Sequence, residues 1–371
     1  MAKRILITGG AGFIGSHTAD LLLRRGYEVR ALDNLSPQVH GGAERPAYLA
    51  PEVELQRGDI RDPDAVANAL RDVDAVLHLA AAVGVGQSMY EISTYTAINE
   101  LGTAVLLEAL ARQPVGRLVC ASSMSVYGEG LARRPDGRTV DPPDRSLTQL
   151  RRGDWEVHDH DGAPLTPLPT PETKMPALSS VYALNKFAQE RMCLIAGRAY
   201  AIPTIALRFF NVYGPRQALS NPYTGVLAIF ASRLLNRRPP LVFEDGNQRR
   251  DFVHVHDVAR ACLLALEAEG NDGEVFNVGS GESRSVLEVA RALMEAMGTP
   301  GPEPQILGRY RAGDIRHCFG DIDKIRRQLG FSPEVDPRVG FAELAEWLSE
   351  QVAEDAVELA TAELERRGLV A

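Results

Sequence analysis

Short apolar runs alternate with longer stretches of helical periodicity through the first half of the chain. Arg4–Thr8, Glu28–Leu32, Val53–Gln56, Ala75–Leu79, Arg117–Ala121 and Thr204–Arg208 are rich in β-branched and aliphatic residues and read as strands. Most are apolar at nearly every position, the pattern of parallel strands covered on both faces. Between them Ile14–Arg25, Asp64–Leu70, Ile98–Arg112 and Val181–Tyr200 read as helices, the first ending on Arg24 and Arg25 with Gly26 just after. Strand–helix–strand repetition predicts an α/β fold, a Rossmann-type doubly wound parallel sheet.

Two segments break this rhythm. Residues 129–178 are proline-rich, mixed in charge and weakly periodic, which predicts a long surface excursion with a small hairpin. After Gly214-Pro215, turns, short helices and isolated strands mix, as expected of a smaller α+β substrate-binding domain. The implied organisation is a dinucleotide-binding domain over 1–205 carrying the insertion 129–178. A mainly substrate-binding domain over 206–350 follows, with some segments returning to the first core, and then a C-terminal helix over 351–371. Phe341–Arg367, rich in Ala, Glu and Leu, reads as a surface helix for which no function is needed.

Composition narrows the function. The 371 residues are 45% hydrophobic and 24% charged, which excludes wholesale disorder. A net charge of −9 argues against a nucleic-acid or membrane-surface binder and leaves room for a local arginine cluster that holds phosphate. Cys120, Cys193, Cys262 and Cys318 are scattered without zinc spacing, so no metal is expected and the thiols read as those of a cytoplasmic protein. No apolar run reaches the ~18 residues of a membrane span. Met1–Arg4 leads straight into the first strand, with no room for a signal peptide.

Thr8-Gly9-Gly10-Ala11-Gly12-Phe13-Ile14-Gly15 follows a strand and opens a helix. Glycines there allow a tight turn and close approach of a pyrophosphate to a helix N-terminus, and the third lets helix and strand pack. Asp33, at the end of the second strand, stands where a carboxylate binds ribose hydroxyls and repels a 2′-phosphate, favouring NAD over NADP. Tyr182 and Lys186 are four apart on one helix face. A lysine ammonium beside a phenol lowers the phenol's pKa, making it a general base for an alcohol as hydride leaves the carbon. Ser122-Ser123, at the end of the fifth strand, offers a hydroxyl to the same oxygen. His78, at the end of the fourth strand, reads as a packed core histidine.

Together these residues resemble the extended short-chain dehydrogenase/reductase family, in particular its nucleotide-sugar epimerases and dehydratases. The resemblance runs from about Lys3 to Gly330. It includes Ser122–Gly128, Arg208–Pro215, Arg250–Val255 and Arg311-Ala312-Gly313-Asp314. It implies that Ser123, Tyr182 and Lys186 are catalytic. It places Gly9, Gly12, Phe13, Ile14, Gly15, Asp33, Asn34, Asp59, Ile60, Leu79, Ala80, Ala81, Asn99, Tyr182 and Lys186 against NAD. It gives Ser125, Asn211, Arg250, Arg311 and Asp314 a nucleotide-diphosphate sugar, and it implies a homodimer built on the helices at 98–112 and 181–200. Guanidinium forks suit the diphosphate oxygens.

Within that family Met124-Ser125 discriminates. Sugar 4,6-dehydratases carry an Asp-Glu pair there, and the related decarboxylases carry a glutamate at the second position. Methionine cannot titrate and serine is a poor acid, so a 4-epimerase working through a transient 4-keto sugar is expected. A 4,6-dehydratase, an NAD(P)-dependent sugar reductase, and a dinucleotide-sensing regulator without chemistry are the alternatives. The insertion resembles that of the subgroup whose substrates include dTDP-linked 6-deoxyhexoses such as dTDP-L-rhamnose. It leaves after Gly128 and returns before Tyr182, so it is expected to help cover the sugar pocket, with Trp155 presenting an apolar face to the sugar methyl.

Overall fold

The computed structural model describes residues 3–219, 221, 223, 225–298, 303–311, 313–351 and 355–370. Met1 and Ala2, and Ala312 of the Arg311–Asp314 motif, lie outside them. Seven parallel strands form the central sheet: β1 (Arg4–Thr8), β2 (Glu28–Asp33), β3 (Glu54–Arg57), β4 (Ala75–His78), β5 (Arg117–Ser123), β6 (Thr204–Phe209) and β7 (Val275–Val278). Their order is β7-β6-β5-β4-β1-β2-β3. The chain starts in the middle, winds to one edge and then returns to the other side of β1. Ligands bind at such a switch point, outside the carboxyl ends of the strands. The strands expected from the apolar runs are present with ends moved by a residue or two. The segment that returns from the second half of the chain is β7.

Alternation along each strand fills two cores. Ile5 and Ile7 of β1 join Val119 of β5 and Leu207 of β6 on one face, under Leu22 of α1 (Phe13–Arg24). Leu6, Val76, Leu118 and Cys120 face the other way, against Leu106 and Leu110 of α2 (Gly102–Arg112) and Cys193 of α3 (Val181–Ala199). A third core joins Tyr213, Phe230, Leu293, Phe341 and Leu348 in the second half. Among the described residues no helix is long and apolar enough to cross a membrane.

Three departures from expectation matter. The helix expected over 98–112 begins earlier, at Ile92, and passes through a single π-helical turn at Ala97–Leu101. The single helix expected over 341–367 is two, α4 (Pro337–Ser349) and α5 (Val357–Arg366). The insertion does form a small antiparallel unit, with Ala132–Arg133 between Thr139–Val140 and Thr166–Pro167, but it is also tied to the body of the protein. Gly130 N donates to His317 O at 2.7 Å and Thr170 N to Phe319 O at 2.8 Å.

Candidate active site

A cavity of about 700 Å³ opens at the carboxyl ends of the strands. Its first wall is the turn after β1. Gly9 has φ +70°, a conformation that disfavours a side chain, and a Cβ on Gly15 would lie 2.5 Å from the Gly9 carbonyl oxygen. The turn therefore brings bare backbone and the N-terminus of α1 to the cavity, as a pyrophosphate requires. Gly12, Phe13, Ile14 and Gly15 line it, with Asp33, Asn34, Asp59, Ile60, Leu79, Ala80 and Ala81. Asp33 is clamped at the end of β2: Oδ2 accepts from Ala11 N at 3.1 Å and Oδ1 from Leu35 N at 2.9 Å. A fixed carboxylate beside this cradle fits the ribose of NAD and opposes a 2′-phosphate. Asn99 departs from expectation. It is fully buried outside the cavity lining, and its amide clasps the backbone of Ala82, with Ala82 N donating to Oδ1 at 2.7 Å and Nδ2 donating to Ala82 O at 3.1 Å. It shapes the loop after β4.

The second wall carries Ser123, Ser125, Tyr182 and Lys186. Ser180 caps α3, its Oγ accepting from Ala183 N at 3.1 Å, so Tyr182 and Lys186 project from the first turns of a well-started helix. Of the two serines at the end of β5, Ser122 donates to the buried Glu190 carboxylate at 2.7 Å, and that carboxylate is gripped at both oxygens by Arg208. Ser123 is left for the cavity. Burial pushes the Tyr182 phenol up, and a hydrogen bond from Ser123 works against that rise. Lys186 Nζ donates to Ala121 O at 2.5 Å and to Gln189 Oε1, and burial lowers its pKa to about 8. Gln189 in turn reaches His78 Nε2 at 2.8 Å. His78 is fully buried, held by Thr8 Oγ1 at 2.7 Å, and burial with the nearby Lys186 pushes it down to about 3, so it is a neutral structural group.

The third wall holds Asn211, Arg250, Arg311 and Asp314. The Arg250 guanidinium is gripped by the carbonyls of Arg249, Ile315 and Arg316, and among the described residues no carboxylate lies within ion-pair distance of it. Arg250 lines the cavity, and the carboxylates of Asp314, Glu129 and Glu244 act on it from beyond ion-pair distance. Arg311 stacks over Phe243 at 4.6 Å and pairs with Asp314 at 2.8 Å. Asn211 Oδ1 is buried and has no hydrogen-bond partner among the described residues.

Comparison with known proteins agrees with this geometry. The NAD dependent epimerase/dehydratase family profile matches residues 5–148 and 161–279. The chain belongs to that family. It is an extended short-chain dehydrogenase/reductase and an NAD-dependent nucleotide-sugar epimerase. It is 37% identical to a dTDP-L-rhamnose 4-epimerase from Burkholderia thailandensis, over 94% of this chain and 96% of that one. Among solved structures it resembles the UDP-glucose 4-epimerase of Thermotoga maritima with UDP-glucose, at TM-score 0.76 and 32% identity over 94% and 99% of the two chains. It also resembles the Thermus thermophilus UDP-glucose 4-epimerase complex with NAD, at TM-score 0.74 and 32% identity over 94% and 100%.

In this epimerase the insertion does not act as expected. No residue of 129–178 lines the cavity, Trp155 included. Instead the insertion buttresses the third wall from behind. Glu129 accepts from the backbone N–H groups of Arg316 and His317 at 2.7 and 3.0 Å. Arg145 reaches Glu244 at 2.8 Å and Asp314 O at 3.0 Å. Glu156 binds Arg316 at 2.5 Å and His317 Nε2 at 2.9 Å, which holds its carboxyl down at about 2. The Ile315–Arg316 segment, whose carbonyls grip Arg250, is thus held by the insertion. His254, His256 and Glu343 bring possible metal ligands within 4.8 Å of one another, but none of the three lines the cavity.

Sequence reasoning missed two parts of the site. The Val85–Ser88 turn lies against α3, where Tyr182 N donates to Ser88 Oγ at 3.0 Å. The apolar face of α5 lines the cavity. The spacing of Val357, Ala360 and Leu364 was a readable signal for an amphipathic helix, though not for what it covers.

Proposed function

We propose that this nucleotide-sugar 4-epimerase acts on a 6-deoxyhexose carried on dTDP, of which dTDP-L-rhamnose is one. The observation carrying epimerisation is local: the positions beside Ser123 that line the cavity are Met124 and Ser125, neither of which can serve as a carboxylic acid. The 37% identity to a dTDP-L-rhamnose 4-epimerase supports the choice of sugar. NAD held between these walls would supply the hydride acceptor and donor for C4 of the sugar.

The chain's own residues do the rest. Tyr182 takes the C4 hydroxyl proton and later returns one, Ser123 shares a hydrogen bond with that oxygen, and Lys186 supplies positive charge beside them. Arg250, Arg311 and Asn211 hold the diphosphate while the sugar turns over. Gly9–Gly15 and Asp33 hold the dinucleotide. A cytoplasmic location, compatible with four buried free cysteines, completes the reading.

The test is incubation with dTDP-L-rhamnose and with UDP-glucose, reading the C4 epimer by proton NMR. A kcat/KM for the deoxysugar at least about tenfold higher is expected. Equal or faster turnover of UDP-glucose would reject the substrate assignment.

A further inference from the structure

The helix α5 is amphipathic. Val357, Ala360 and Leu364 are buried along one side, whereas Leu359 is 74% exposed. The buried stripe, with Thr361 and Leu369, lines the cavity. Both ends of its course over the cavity touch working parts. Val370 forms a β-bridge with Arg311 at the arginine end. Leu364 Cδ1 would lie 3.4 Å from a Cβ on Gly86, in the same turn whose Ser88 accepts from the backbone of Tyr182. The last turn of α5 therefore lies beside the tyrosine wall, and the residues just after the helix reach the diphosphate wall.

Its fastenings are of a different kind from those of the core. Asp355 pairs with Arg233 at 3.4 Å and with the half-exposed Arg238 at 3.1 Å. Glu365 pairs with Arg309 at 2.6 Å, both more than a third exposed. Arg367 stacks on Tyr90 at 4.3 Å. The exposed contacts of Glu365 and Arg367 hold weakly and exchange with water, whereas Arg233 and Asp355, each only 4% exposed, form a buried pair that anchors the start of the helix. A wall so fastened can open to admit a nucleotide sugar and close behind it.

We propose that α5 is the gate of the nucleotide-sugar cavity and that its apolar stripe, centred on Leu364, retains the 4-keto sugar until reduction is complete. The proposal rests on the epimerase reading. Retention matters because the oxidised sugar has lost a hydride from C4 and a proton from its oxygen. If it leaves at that point, its two electrons stay on the protein as reduced nicotinamide, one for each ketone released. An apolar, water-excluding wall opposes that escape without hydrogen-bonding the sugar in either of its two orientations, so it does not hinder the turn.

The test compares wild type, Leu364→Gln, Leu364→Met and the double unlatching variant Glu365→Ala/Arg367→Ala, whose altered side chains are partly exposed. Each is given nucleotide sugar, and released ketone is trapped with hydroxylamine and counted beside protein-bound reduced-nicotinamide fluorescence. Substrate affinity is measured separately by calorimetry in a Tyr182→Phe background. Leu364→Gln and the unlatching variant should release ketone about tenfold more often per turnover, with reduced cofactor appearing one to one. Leu364→Met should restore wild-type retention, and the pH profile of turnover should not move. Ketone release at the wild-type level in both Leu364→Gln and the unlatching variant overturns the gate. A wild-type protein that converts no nucleotide sugar overturns the epimerase reading, and the gate with it.

Discussion

Replacing Arg316 by methionine tests the buttress behind the third wall. The Arg316 side chain is fully buried. It meets Glu244 at 2.9 Å, Asp245 at 2.6 Å and Glu156 at 2.5 Å. Methionine keeps much of the volume and removes the charge. Removing one partner of a buried pair costs about 3–5 kcal/mol, because the remaining charge is stranded. Asp245 and Glu156 are 35% and 50% exposed and can rehydrate, and Glu244 keeps Arg145 at 2.8 Å. The lower end, about 3 kcal/mol, is therefore expected. For a chain of 371 residues that corresponds to a fall in Tm of roughly 4 °C. Burial already raises the Glu244 pKa, and losing Arg316 raises it further. A carboxyl whose folded pKa is raised weakens the fold as pH rises through that pKa, so the deficit should shrink as the pH is lowered. Glu244→Gln in the Arg316→Met background should recover part of the loss. KM for the nucleotide sugar should rise, because Arg250 hangs on the Arg316 and Ile315 carbonyls. Thermal melts by circular dichroism at two pH values read the stability, and steady-state kinetics read the site. A Tm within about 1 °C of wild type at both pH values would refute the reasoning.

Tyr182→Phe should fold normally and lose at least the ~10²–10⁴-fold that a positioned base contributes, and near-wild-type kcat would remove it from the mechanism. Burial holds Lys186 at about 8, so its cation is present below that pH and lost above it. Activity that depends on the cation should fall as pH rises through about 8, and Lys186→Met should erase that limb; a limb that persists contradicts the role. A homodimer on α2 and α3 is expected, since Leu101, Leu184 and Ile195 are 54%, 48% and 52% exposed next to or on those helices. Leu101→Glu/Leu184→Glu should give a monomer by light scattering, and an unchanged mass would place the contact elsewhere.

The sheet was legible because doubly covered strands are apolar throughout, so even single runs such as Ala75–Leu79 stand out. The dinucleotide cradle was legible because its glycines, strand, helix and Asp33 fall within a short stretch. Contacts between distant residues were not. Nothing in the sequence pairs Glu156 with Arg316 or turns the insertion away from the pocket toward the strand behind Arg250. Periodicity put Tyr182 and Lys186 on one face, yet it did not reveal that Lys186 is engaged by Ala121 and Gln189. Asn99 looked like a ligand contact because its position matched the motif, whereas its amide is consumed by Ala82. The tail read as one helix because no glycine or proline lies between Ser349 and Val357, and its buried stripe gives no hint of the cavity it covers.

The central claim is that C4 is inverted by returning the same hydride within one closed site, with Tyr182 moving the proton. Substrate carrying deuterium at C4 tests it most directly, with turnover followed to equilibrium in ordinary water and the sugar read by NMR and mass spectrometry. A C4 epimer that keeps its deuterium at C4 is expected. Loss of the label to solvent, or a dehydrated 4-keto-6-deoxy product in place of the epimer, would contradict it.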